Sequence, residues 1–220
     1  MSRHLEREFE QLKKDILTLG AMAEGAVHQA VSALATRDSH LAEKIIAGDL
    51  KVDHYEVEIE ENCLKILALH QPVAIDLRFI IAVMKINNDL ERIADLAVNI
   101  AERAISLANL PPVAVDLDFA GMAKKVEGML RVSLDALVNR DVNLGKQVLE
   151  SDDEVDTIHR QMYKLVQNAI LERPEHIDAL IQTLAISRYL ERIADHATNI
   201  AEDVIYLING EIVRHGANHL

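Results

Sequence analysis

The motif NDLERIADLAVNIAE at 88–102 returns as RYLERIADHATNIAE at 188–202, 100 residues later. Whatever this chain folds into must therefore hold two copies of one helix. Each copy sets carboxylates four residues apart, Glu91 with Asp95 and Glu191 with Asp195. An amide follows at Asn99 or Asn199, and a further carboxylate at Glu102 or Glu202. Residues three and four apart are neighbours on a helix surface, so these positions make one stripe. Like charges at that spacing cost about 0.2–0.5 kcal/mol per pair. A stripe built this way in both copies points to a positive charge between its members, and a hard metal ion is the simplest candidate.

The repeat continues upstream. RDSHLAEKIIAGDLKVD at 37–53 matches RDVNLGKQVLESDDEVD at 140–156, and AEGAVHQAVSALATRD at 23–38 matches VEGMLRVSLDALVNRD at 126–141, both at an offset of 103. The change from 103 to 100 places a three-residue deletion between 156 and 188, so a shorter turn is expected in the second copy. A period near 100 residues is domain-sized and too long for a solenoid.

Punctuation divides the chain into six long helices. The four prolines, at 72, 111, 112 and 174, fall where the helical period breaks. Helices are predicted at about 4–36, 38–70, 75–108, 117–139, 141–171 and 175–208, with Asp38 and Asp141 placed as N-caps. Long amphipathic helices with short connections lie antiparallel. The expected fold is all-α: two tandem antiparallel three-helix bundles related by the internal repeat, over residues 1–110 and 113–220 and split at Pro111-Pro112.

Core and stripe share the third helix. Leu90, Ile93, Ala97, Ile100 and Ala104 advance by three and four, the narrow apolar seam of a bundle. Glu91, Asp95, Asn99 and Glu102 sit about 100° further round, at the solvent boundary. Small Ala94, Ala97 and Ala101 beside them admit a close neighbour. In an antiparallel hairpin the numbers of facing residues share a constant sum. With Pro72 at the turn, Asp53 faces Glu91 and Asp49 faces Asp95; around Pro174, Asp156 faces Glu191 and Asp152 faces Asp195. Four carboxylates thus converge in each half. Without counter-ions such a cluster raises carboxyl pKa values and weakens the hairpin. Oxygen-only ligands favour Mg, Ca, Mn or Fe over Zn or Cu.

Composition narrows the function. A formal net charge of −13 excludes a nucleic-acid binder, which needs Lys and Arg to neutralise phosphates, and a basic membrane anchor. No apolar run approaches a membrane span, and the charged N-terminus lacks the apolar core of a signal peptide, so a soluble cytoplasmic protein without membrane insertion is expected. The single cysteine, Cys63, lies in an apolar stretch and reads as an inert buried thiol.

Two other readings of the stripes remain open. Arg92 and Arg192 adjoin the acids, so the stripes could be salt-bridge networks on a metal-free helical scaffold. A carboxylate-bridged metal site could also hydrolyse phosphate esters. No histidine here has Glu three residues before it, as di-iron sites require, and no Gly-rich phosphate loop appears, so enzyme activity is not expected. The copies also differ. Arg103 corresponds to Asp203 and Glu56 to His159, so the two sites need not bind the same ion. His159, three residues after Asp156, is a candidate nitrogen ligand; His196 points away from the stripe, and His215 and His219 read as exposed. Asp76 suits the dipole of the third helix, with Arg78 as its local partner. Long exposed bundles commonly pair, so a homodimer is expected.

LERIADLAVNIAE and LERIADHATNIAE, with QPVAIDLRFI at 71–80 and the GD-then-VD spacing at 48–53, resemble the PhoU family of phosphate-uptake regulators, over about residues 5–215. The resemblance implies two three-helix bundles carrying multinuclear metal clusters, with Fe, Mn or Mg as the ions. It implies negative regulation of phosphate import and of the phosphate-starvation response, through a sensor histidine kinase and the ATPase of a phosphate ABC transporter. The ligand positions it carries over are Glu91, Asp95 and Asn99, with Glu191, Asp195 and Asn199. The helix-start tip at Asp76, Leu77 and Arg78 becomes a partner-binding surface in this light. Asp49, Asp53, Asp152 and Asp156 rest on the register.

Overall fold

The computed structural model describes residues 3–113, 115 and 117–210; His215 and His219 lie outside them. Six helices follow in order: α1 (Arg3–Thr36), α2 (Ser39–His70), α3 (Ile75–Ala108), α4 (Phe119–Asn139), α5 (Val142–Glu172) and α6 (Ile177–Asn209). They form two tandem three-helix bundles, α1–α3 and α4–α6. The predicted and observed boundaries agree to within two residues, because the prolines and the Asp caps mark where backbone donors run out.

The turns α1–α2 and α4–α5 are copies. Arg37 and Arg140 adopt left-handed conformations, with φ of 55° and 51°, and close the helices before them. Asp38 and Asp141 donate their backbone N–H to Ala33 and Ala136 at 3.0 and 3.1 Å. Their side chains then cap the next helix, Asp38 accepting from Leu41 N at 3.0 Å and Asp141 from Asn143 N at 2.8 Å. One aspartate thus ends one helix and begins another.

The three-residue deletion falls elsewhere than expected. Four residues separate α2 from α3 (71–74), and four separate α5 from α6 (173–176), three of the latter forming a 3-10 turn. The second turn is not shorter. From Asp156 to the end of α5 the helix is one residue shorter than its counterpart, and from the start of α6 to Glu191 two residues shorter. A helix loses residues from its ends without disturbing the hydrogen bonds of the rest, whereas a four-residue reversal has little to give.

The seam is buried as predicted. Leu90, Ile93, Ala97 and Ile100 have no accessible surface, and neither do Leu190, Ile193, Ala197, Ile200 and Val204. α3 packs against both α1 and α2, α6 against both α4 and α5, and α3 and α6 pack along each other. Lys85 Nζ reaches the buried Asp203 at 3.1 Å, and Arg103 Nη1 donates to Gln182 at 2.9 Å. Low numbers on α3 meet high numbers on α6, so the two run antiparallel and the repeats face each other about a pseudo-twofold near Ile93 and Ile193. α1 and α4 cross the same boundary: Arg131 holds Glu24, and Gly20 leaves room for Leu134. One apolar core runs through both bundles. Among the described residues no helix is long and apolar enough to cross a membrane.

Alanine at Asp38 or Asp141 is expected to lower stability by about 1 kcal/mol each. The losses should add in the double variant, since different residues are capped. Urea unfolding midpoints unchanged in both single variants would show that the caps contribute nothing.

Candidate metal centres

Each acid row is set by one helical hairpin. Glu91, Asp95 and Asn99 lie on α3 one step round from its buried seam, and all three are half-buried. Asp49 and Asp53 come from α2, also half-buried. The register predicted from sequence holds: Asn87 on α3 donates through Nδ2 to Glu56 Oε1 at 3.2 Å and to the Glu56 carbonyl at 2.9 Å. In the second hairpin the matching contact joins His159 Nδ1 and Ser187 Oγ at 3.0 Å.

The acids of each hairpin act on one another electrostatically. Burial raises the pKa of Asp49, and the charges of Asp53 beside it and Asp95 across the hairpin raise it further. Glu91 is raised by burial and then by Asp95, Glu56 and Asp53, against the opposing pull of Arg92. In the second hairpin Asp152 is pushed up to about 6, by burial first and then by Asp195, Asp156 and Asp153. Glu191 rises for the same reasons, burial followed by Asp195, with Asp156 and Asp152 adding from α5. Asp195 keeps an exposed edge, but protein encloses its inner side; this partial burial and Asp156 raise it, while Arg188, His196 and Arg192 pull it down. All four facing pairs named from sequence therefore act on each other.

The residues present fit a cation. Glu191 is the clearest case: Oε1 accepts from Arg188 Nη1 at 3.1 Å, while Oε2 is buried with no hydrogen-bond partner. The acids nonetheless stand as facing rows, without closing into a cage. Among the described residues, the set of three or more ligand atoms that lie within 4.8 Å of one another is elsewhere.

The amides and cations are arranged less symmetrically than the sequence suggested. Asn99 Nδ2 donates back to the Asp95 carbonyl at 3.0 Å, but Asn199 turns toward Asp89 of the other repeat, 3.4 Å away. Arg92 bridges Glu91 and Asp95 at 3.4 and 3.2 Å. Its partner in the second stripe is Arg188, one turn earlier, rather than Arg192; residue 88 is asparagine, so the first copy has no equivalent. Arg103 and Asp203 serve the α3–α6 contact and do not differentiate the acid rows. His196 bonds Asp89 at 2.8 Å across that same contact. Arg78 lies against Gly210 at the end of α6.

Two participants were not placed in the rows from sequence. Glu56, read there only as the counterpart of His159, acts on Glu91 and extends the first row, a role signalled by its spacing of three from Asp53 on one helix face. Arg188 stands three residues before Glu191, and that spacing also carried the signal.

Asp152 supplies a pH test. A folded-state pKa raised above the unfolded 3.8 means that the native state binds more protons between about 4 and 6, so metal-free stability falls as pH rises through that window. Asp152→Asn should therefore stabilise the metal-free chain at pH 7, on the order of 1–2 kcal/mol after solvent screening. The gain should vanish below about pH 4. Urea unfolding in chelator at both pH values checks this; a gain equal at the two would exclude charge repulsion as its source.

A family model, the PhoU domain, matches twice, at residues 16–104 and 119–204. The chain is 40% identical over 211 residues to the phosphate-specific transport system accessory protein PhoU homolog of Aquifex aeolicus, covering 96% of each. It is 36% identical over 209 residues to the protein of that name from Clostridium acetobutylicum, covering 94% of this chain and 95% of the relative. The crystal structure of PhoU from Pseudomonas aeruginosa superimposes with a TM-score of 0.89 at 36% identity, over 94% of this chain and 99% of that one. The phosphate transport system regulatory protein PhoU from Streptococcus pneumoniae gives 0.85 at 30% identity, over 95% and 99%. Sequence and fold agree across nearly the whole length, and the chain belongs to the PhoU family.

Proposed function

We propose that this chain is an accessory regulator of phosphate uptake, a cytoplasmic metal-binding adaptor between the ATPase of a phosphate ABC transporter and a sensor histidine kinase. The observation that carries the regulatory part is the match to the Aquifex aeolicus accessory protein over 96% of both chains. The metal-binding part is supported by two carboxylate rows in one register and by the buried, unpartnered Glu191 Oε2. Asp49, Asp53, Glu91, Asp95 and Asn99 would hold one centre, and Asp152, Asp156, Glu191, Asp195 and Asn199 the other. Bound Fe, Mn or Mg would draw the facing rows together by side-chain rotation and neutralise their repulsion. The metal would then clip each hairpin, fixing the surfaces offered to partners. A homodimer is part of this reading.

Arg92 and Arg188 favour the rival reading, in which the rows are ion-pair networks on a metal-free scaffold. Both side chains are more than half exposed, at 54% and 59%, so either can swing away when a stronger cation arrives.

Glu91→Gln, Asp95→Asn, Glu191→Gln and Asp195→Asn together should abolish the bound Fe or Mn measured by elemental analysis, and with it any thermal shift on adding those ions. In cells lacking the native protein, the parent chain should repress a phosphate-starvation reporter at high phosphate. A folded fourfold variant should not. Fewer than about one metal ion per parent chain with no thermal shift would support the scaffold; full repression by the variant would sever metal from regulation.

A further inference from the structure

The set of ligand atoms that does converge is His4, Glu8 and His70, all within 4.8 Å of one another. His4 and Glu8 are four residues apart on the first turns of α1, and so share a face. His70 is the last residue of α2, brought alongside because α2 runs antiparallel to α1. The three residues come from the first and last turns of one helical hairpin and meet at its open end.

The geometry brings two imidazole nitrogens and a carboxylate within ligand distance of one another. His70 Nε2 lies 2.6 Å from Glu8 Oε2, and His4 Nε2 lies 3.7 Å from Glu8 Oε1. Two ligands on a tetrahedral zinc with bonds of about 2.05 Å stand about 3.3 Å apart, between these values. Glu8 Oε2 and His70 Nε2 are both buried, and although they form an ion-pair contact neither has a hydrogen-bond partner. Ligands around an ion aim their lone pairs at the ion and not at each other. The imidazoles of His4 and His70 stand edge to face, with centroids 5.9 Å apart. His70 also ends α2, where the partial negative charge of the helix C-terminus favours a cation.

We propose that His4, Glu8 and His70 form a nitrogen-rich site for a borderline transition metal, Zn²⁺ foremost, separate from the oxygen-only rows. Two imidazoles and one carboxylate match the donors of zinc sites that keep an open fourth position. His4, with its side chain 74% exposed, lies on the open side. The site belongs to one repeat only. α4 begins at Phe119, the counterpart of Ile16, so residues 3–15 of α1 have no equivalent in the second bundle. The PhoU-domain match likewise begins at residue 16, beyond His4 and Glu8. Bound metal would fasten the first turn of α1 to the end of α2, beside the turn into α3.

Zinc titration of the untagged, chelator-stripped full chain, by competition with a chromophoric chelator, should find about one tight equivalent per chain. His4→Ala, His70→Ala and Glu8→Gln should each weaken it by about tenfold or more. The fourfold acid-row variant and a His215→Ala, His219→Ala chain should retain it, which separates this site from the acid rows and from tail histidines. The cobalt-loaded chain should show the intense visible bands of tetrahedral coordination. Zinc affinity unchanged in all three ligand variants, or cobalt bands of octahedral strength, would overturn the proposal. Glu8→Gln keeps the shape and length of the side chain, so its result stands even if a histidine variant folds poorly.

Discussion

The antiparallel pairing of α3 with α6 is the contact on which the remainder of the structure depends. Both helices bury a seam of Leu, Ile and Ala completely, so each is surrounded by neighbours and neither half has a core of its own. Burial on that scale leaves only one face of α3 and of α6 near solvent, and the acids occupy it. Their position at the edge of the core raises their pKa values, since carboxylates there have lost part of their water without gaining a full complement of donors.

The core therefore sets up an electrostatic conflict that the hairpins sharpen. α2 and α5 bring a second pair of carboxylates opposite the first, at a register fixed by Asn87 with Glu56 and by His159 with Ser187. Folding is driven by apolar burial worth far more than the repulsion between partly solvated acids, so the rows assemble despite their charge. The chain carries a net charge of −13, and among the described residues the ion pairs to these rows come from Arg92 in the first and Arg188 in the second. That imbalance is the physical reason for reading the rows as cation sites.

The repeats are most alike along the α3–α6 contact that joins them, yet the polar pairs made there are not symmetric. A true twofold would make each contact twice, whereas Lys85 with Asp203, Arg103 with Gln182 and His196 with Asp89 have no matching mates at the equivalent positions, since residue 185 is alanine, 96 leucine and 189 tyrosine. His159 stands where the first copy has Glu56, and its bond to Ser187 gives it a structural task at the edge of the second row. The extension of α1 before Ile16 gives the first bundle alone His4 and Glu8, which gather with His70 at its tip.

Much of this was legible in the amino-acid order. Prolines and capping aspartates marked the helices, the three-four spacing of Leu90, Ile93 and Ala97 marked the seam, and the constant sum across each hairpin placed Asp49, Asp53, Asp152 and Asp156 opposite the motif acids. These features are local or depend on one short turn, so period and punctuation suffice to read them. The choice of Arg188 over Arg192, the turn of Asn199 toward Asp89, the placing of the deletion in helix ends and the meeting of His4 with His70 were decided by tertiary structure. Each depends on which helices touch and at what height, and periodicity along one helix records the face that is buried without naming the neighbour that buries it.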